Sequence, residues 1–257
     1  MWHFHQQGQG RPLVLLHGIG MSHKAWSPVF DLLAAQRKVI AFDVAGFGNS
    51  PILSHGIAPT TANFARQLGE ELKRLGVTEP VDIVGNSMGG WMALEAARLG
   101  LARSVVAISP AGLWQQAPAR AKYIFFGLRH LAGNFPQLTK KSLEFKIVRE
   151  LFMAVPLSIG GRHIPANIAF DLTMDFVNAQ GFEETFAHST RFQDGKLINV
   201  PITIAFGQHD WLLNAKCRQK EELPSHVQWL EPVGWGHVPM WKDPHGVAQL
   251  ILQRTSF

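Results

Sequence analysis

Val81-Asp82-Ile83-Val84-Gly85-Asn86-Ser87-Met88-Gly89-Gly90 is the stretch on which the fold turns. Its first four residues form a short apolar run rich in β-branched side chains, the pattern of a strand buried on both faces. Trp91 to Leu99 then reads as a helix. Between them lies G-x-S-x-G on a strand-to-helix turn, the setting in which a serine is presented as a nucleophile. A side chain two residues to either side of Ser87 would collide with neighbouring backbone, so glycine at 85 and 89 is a steric requirement of the turn. The helix that follows aims free N–H groups at the place where negative charge would develop on a substrate oxygen. Because the chain holds 24 glycines, the bare pattern could arise by chance, and its flanks and partners must carry the reading.

Outward from this turn, further short apolar runs recur at Leu13–Leu16, Val39–Phe42, Val105–Ile108, Ile202–Phe206 and Val227–Leu230. Helical patterns separate several of them; the clearest places Phe64, Leu68, Leu72 and Leu75 on one face, with Gly76 closing the end. Strands alternating with helices predict an α/β fold, a mostly parallel twisted sheet with helices on both faces. The rhythm breaks from 112 to 194, where aromatic-rich helical stretches such as Tyr123-Ile124-Phe125-Phe126 and Phe145-Lys146-Ile147-Val148 follow one another. The expected organisation is a core of residues 1–111 and 195–257, with 112–194 inserted as a helical cap whose apolar underside lines a substrate pocket.

A serine hydroxyl needs a base, and twelve histidines are available. His237, in Gly234-Trp235-Gly236-His237, follows a strand and precedes the last helix, in the kind of loop where functional groups gather. Asp210 follows Ile202–Phe206 through Gly207-Gln208-His209 and can hold the imidazole in one tautomer, with Asp243 the weaker substitute; His209 reads as a loop residue. The order Ser87, Asp210, His237 suits nucleophilic acyl transfer on such a sheet. The loop His17-Gly18-Ile19-Gly20 lets backbone approach a substrate closely, so the N–H groups of Ile19 and Met88 are the expected oxyanion donors. Gly18, Gly20 and Trp241 are expected to contact substrate. His17 reads as a tie between loops, and Asp43 to Ser50 as a tight structural turn, since no Lys-Ser/Thr ends it as a phosphate loop would.

Composition narrows the classes. With 257 residues, 46% hydrophobic and 17% charged, the chain can bury one large core. Cys217 is the single cysteine, which excludes an intrachain disulfide and a cysteine-based zinc site, and neither metal nor cofactor is expected. The net charge of +5 comes from scattered Lys and Arg with no basic stripe, so nucleic acid is not an expected partner. Met1 to Gln7 lacks the pattern of a secretory leader and no run approaches a membrane span, so a cytoplasmic location is the expectation.

Taken together, the loop at His17, the turn from Asp43 to Ser50, Gly85 to Gly90, Gly207 to Asp210 and Gly236-His237 resemble the α/β-hydrolase superfamily in their usual order. The resemblance spans nearly the whole chain. It implies the α/β-hydrolase fold, a helical cap after the sixth strand, and cofactor-free hydrolysis of a small-molecule ester through an acyl-enzyme, as in a carboxylesterase with a serine nucleophile. It also implies that one N-terminal strand is missing, because Trp2 to Gly10 is short for the family's first hairpin. Haloalkane dehalogenases and epoxide hydrolases place aspartate where Ser87 stands. Gly85 to Gly90, with Trp241 four residues after His237, is similar to the carbon–carbon bond hydrolases of aromatic ring-fission products, which gives a second expectation. A non-catalytic small-molecule receptor on the same fold is a third.

Overall fold

The computed structural model describes residues 1–116 and 119–256. Its seven strands are β1 (Phe4–Gln7), β2 (Pro12–Leu16), β3 (Lys38–Phe42), β4 (Val81–Asn86), β5 (Ala102–Ile108), β6 (Ile202–Ala205) and β7 (Gln228–Leu230). They form one sheet in the order β1-β3-β2-β4-β5-β6-β7. Every pairing is parallel except that of β1 with β3. A single strand, β1, thus stands at the edge where the resemblance implied a shortened hairpin.

The strands are buried on both faces, and alternate residues serve different cores. Leu13 and Leu15 of β2 join Val39 and Ala41 of β3 in packing against α1 (Ser27–Ala34) and α9 (Pro244–Arg254). Val14, Leu16, Ile40 and Phe42 point the other way, into a core shared with α2 (Thr61–Arg74) and α3 (Met88–Arg98). The period of two in side-chain direction is what lets one apolar run feed both layers. In α2, the expected apolar face holds: Phe64, Leu68 and Leu72 are buried, and Thr60 caps the helix by accepting from Asn63 N–H. Helix α3 begins at Met88, before the expected Trp91. Gly89 and Gly90 have low helix propensity, so the apolar pattern begins later than the helix itself.

Between β5 and β6, the described residues contain helices and no strand: α4 (Ala119–Asn134), α5 (Pro136–Ser142), α6 (Lys146–Leu157), α7 (Ala166–Asn178) and α8 (Phe182–Ala187). Phe125 of α4, Phe176 of α7 and Phe182 of α8 meet in edge-on ring contacts at 5.0–6.1 Å, which pins these helices to one another.

At the opposite end of the sheet from Ser87, Asp82 near the start of β4 is fully buried. It is paired with Arg37, accepts from Arg103 Nη2 at 2.7 Å and from Ser104 Oγ at 2.6 Å. Arg37 also donates to Thr255 Oγ1 beyond α9 and to the carbonyl of Pro12 at the start of β2. The carboxylate therefore ties the beginnings of several strands to the last helix. Asp82→Ala would leave the buried Arg37 guanidinium without its counter-charge, so a loss of about 3 kcal/mol is expected. Urea unfolding should show it as a lower midpoint, and an unchanged midpoint would contradict this role.

Candidate active site

Strand β4 ends at Asn86 and α3 starts at Met88, leaving Ser87 alone at the turn with φ 54° and ψ −116°. Such a positive φ is strained for a residue bearing a side chain, and it persists only where the surroundings hold it. Ser87 N–H donates to the Ile108 carbonyl at 3.0 Å, and its own carbonyl accepts from Trp91 at 3.1 Å and Ala111 at 3.0 Å. The flanking glycines explain why the turn closes. A Cβ on Gly85 would lie 2.0 Å from the Gly89 carbonyl oxygen, and one on Gly89 would lie 2.1 Å from that of Leu16.

His237 lies in the loop after β7 and Asp210 in the loop after β6, and the fold joins them: His237 Nδ1 is 2.9 Å from Asp210 Oδ2, both residues buried. The other carboxylate oxygen, Oδ1, accepts from the N–H groups of Leu212 at 3.0 Å and Leu213 at 2.9 Å, so Asp210 caps its own turn while facing the histidine. Burial alone would raise the Asp210 carboxyl, but the adjacent imidazole, its hydrogen bond and the Leu213 N–H outweigh that and hold it below its ordinary value. An ionised carboxylate only accepts, so Nδ1 carries a ring proton, and in the neutral imidazole it is Nε2 that bears the lone pair. Asp243 is occupied elsewhere, accepting from Gly246 N–H at the start of α9 and from Trp235 Nε1. His209 is exposed.

Ser87, His237, Gly18, Ile19 and Met88 line one cavity, open to solvent, of about 860 Å³. Met88 opens α3, so its N–H is among the donors a helix leaves without internal partners. Gly20 and Trp241 line a second cavity of about 670 Å³, which shares Ile19, Met21, Phe125, Pro156 and Val238 with the first. No Lys, Arg, Asp or Glu is among the described residues of either wall. The inserted segment also holds both loops: His237 N–H donates to the Leu157 carbonyl at the end of α6 at 2.9 Å, and Trp211 N–H, beside Asp210, to Ser158 Oγ at 3.0 Å.

His17 ties two loops beneath the serine. Val44 N–H donates to its Nε2 at 3.0 Å, which fixes the ring proton on Nδ1, and Nδ1 donates to the Gly18 carbonyl at 2.7 Å. Burial lowers its pKa, favouring the neutral ring that this pattern of bonds requires.

Residues 13–250 match the alpha/beta hydrolase family, and the chain belongs to it. Over 224 residues it is 25% identical to the pimeloyl-[acyl-carrier protein] methyl ester esterase of Legionella pneumophila, covering 83% of this chain and 82% of that protein. Over 113 residues it is 34% identical to the 2-hydroxy-6-oxo-6-(2'-aminophenyl)hexa-2,4-dienoic acid hydrolase of Metapseudomonas resinovorans, a stretch covering 42% of this chain and 38% of that protein. The naproxen esterase (carboxylesterase NP) of Bacillus subtilis shares the fold, with a TM-score of 0.76 at 19% identity over 98% of this chain and 86% of that chain. Among the described residues, no helix is long and apolar enough to cross a membrane.

Two site residues carry little or no signal in sequence. Asn86 Nδ2 donates to the carbonyls of His237 at 2.8 Å and Ile108 at 3.1 Å, fastening the histidine loop to the serine turn. Thr185 of α8 is buried on the cavity wall with its hydroxyl unpartnered. Both depend on contacts made across the fold; the x of G-x-S-x-G is the one available hint for Asn86.

The lowered pKa of His17 fixes a sign. The unfolded chain takes up this proton near pH 6.5 while the folded chain resists it, so His17's contribution to stability diminishes as pH falls below about 6.5. His17→Leu should cost about 2 kcal/mol at pH 7.5 by stranding its two partners. In urea unfolding the gap between wild type and variant should narrow at pH 5.5; a gap independent of pH would contradict the assignment.

Proposed function

We propose that this chain is a carboxylic ester hydrolase working through an acyl-enzyme on Ser87. His237 Nε2 takes the Ser87 proton as Oγ attacks the acyl carbon, and the same nitrogen returns it to the leaving alcohol. Water then repeats the sequence to release the acid. Asp210 holds the imidazole in the reactive tautomer and stabilises the imidazolium, while the N–H groups of Ile19 and Met88 receive the oxyanion. Helices α4 to α8, within residues 112–194, act as a cap roofing the cavity. Gly18 borders the acyl carbon, and Gly20 and Trp241 contact the part of the substrate that reaches the second cavity.

The carrying observation is a His237 oriented by Asp210 on the same cavity wall as a strained serine, in a lining whose described residues include no Lys, Arg, Asp or Glu. This lining suits a neutral ester with apolar acyl or aryl parts. It also ranks ester hydrolysis above carbon–carbon cleavage. The Metapseudomonas resinovorans relative acts on a dienoic acid. A carboxylate substrate brought into this cavity would find no Lys or Arg among the described lining residues to offset its desolvation. A receptor, the third expectation, has no need of an oriented base.

Initial rates on p-nitrophenyl esters of increasing acyl length test the proposal. Turnover by the wild type should fall by about a millionfold in Ser87→Ala and by about ten-thousandfold in Asp210→Asn, which leaves the imidazole in the wrong tautomer. Appreciable turnover by Ser87→Ala would refute the nucleophile, and decolorisation of a yellow ring-fission dienol without ester turnover would transfer the assignment to carbon–carbon hydrolysis.

A further inference from the structure

Away from the cavity, the described residues contain one group of three side chains whose ligand atoms converge: His3, His23 and Asp43. His3 stands just before β1, His23 opens the short 3-10 turn His23–Trp26, and Asp43 follows β3. His3 Nδ1 is 2.9 Å from Asp43 Oδ2 and His23 Nδ1 is 2.8 Å from Asp43 Oδ1. The three ligand atoms lie within 4.8 Å of one another. None of these residues lines either cavity.

We propose that His3, His23 and Asp43 bind a divalent transition-metal ion of the zinc type. Two imidazole nitrogens and one carboxylate are the ligand chemistry that Zn²⁺ accepts at about 2.0–2.2 Å. Tetrahedral coordination at that radius sets neighbouring ligand atoms about 3.3 Å apart, so the present spacing needs changes of about half an ångström to one and a half ångströms, shared between the side chains. Each neutral imidazole has one N–H. When Nδ1 turns from donor to ligand, that proton sits on Nε2, so no net proton leaves the ring. The side chain of His3 is 41% exposed and that of His23 18%, while Asp43 is fully buried. The ion therefore has a route from solvent on the side of His3.

Asp43 is already positioned as a ligand should be. Its oxygens accept from the backbone N–H groups of His23 at 2.7 Å and Asn49 at 2.9 Å, bonds that orient the carboxylate whichever partner the imidazoles have. The neighbouring residue Val44 donates to His17, which holds the Gly18 carbonyl. A bound ion would thus fasten the approach to β1, the turn after the Gly18 loop and the turn after β3 to one another. Its role is structural, since its ligands line neither of the two cavities around Ser87 and Trp241.

The test is titration of the whole protein, stripped with chelator, with Zn²⁺ by calorimetry and with Co²⁺ by visible absorption. One equivalent should bind, Co²⁺ should give the intense bands of a tetrahedral site, and Zn²⁺ should raise the melting temperature by several degrees. His3→Gln and His23→Gln, which leave the Asp43 turn and the cavity intact, should each weaken that binding at least tenfold and abolish the rise. No stoichiometric binding, or binding unchanged in either variant, would overturn the site and assign any uptake to scattered surface histidines.

Discussion

The turn at Ser87 is the constraint around which the rest is organised. A residue with a side chain sits at φ 54°, between the end of β4 and the first turn of α3, in space that Gly85 and Gly89 leave empty. Strain of this kind costs on the order of 1–3 kcal/mol and lasts only where neighbours over-determine it. Here β5 supplies the Ile108 carbonyl, Ala111 donates back to the serine carbonyl, and α3 is anchored by the same oxygen through Trp91. The two glycines press against Leu16 and against one another, so β2, β4 and α3 are locked into one register at the serine. The buried Asp82 cluster secures the far end of the same strands.

His237 shares a cavity wall with the serine, with Asp210 bonded behind it, because the sheet order places β4, β5, β6 and β7 side by side. Their following loops therefore open on one edge, where ligands gather in sheets of this kind. Two further ties set the histidine loop: Asn86 from the serine side and Leu157 from the inserted helices. The helices thus serve two ends. They wall a cavity whose described lining holds no Lys, Arg, Asp or Glu, and they fix the backbone of the proposed base. A change in how α6 packs would alter both substrate fit and the aim of His237.

Much of this is legible in sequence, because the relevant signals are local. Apolar runs buried on both faces mark β2 to β6, and glycine spacing at 85 and 89 marks the turn. Asp210 and His237 stand out because each follows a strand. Boundaries are less legible where glycines interrupt a pattern, as at the start of α3. Contacts between distant segments are not legible at all. Asp43 reads as part of a turn, yet its imidazole partners come from 20 and 40 residues earlier. That two adjoining cavities share Ile19, Met21, Phe125, Pro156 and Val238 depends on contacts between distant segments, and no periodicity announces it.

The central claim, that the strained Ser87 is a nucleophile activated by the buried His237–Asp210 pair, is tested most directly by covalent trapping. The native protein would be treated with an alkyl fluorophosphonate, digested, and mapped by mass spectrometry. One adduct is expected, on the peptide carrying Ser87, formed rapidly by the wild type and slowed at least a hundredfold in His237→Ala. No adduct at Ser87, or labelling at an equal rate without His237, would contradict it.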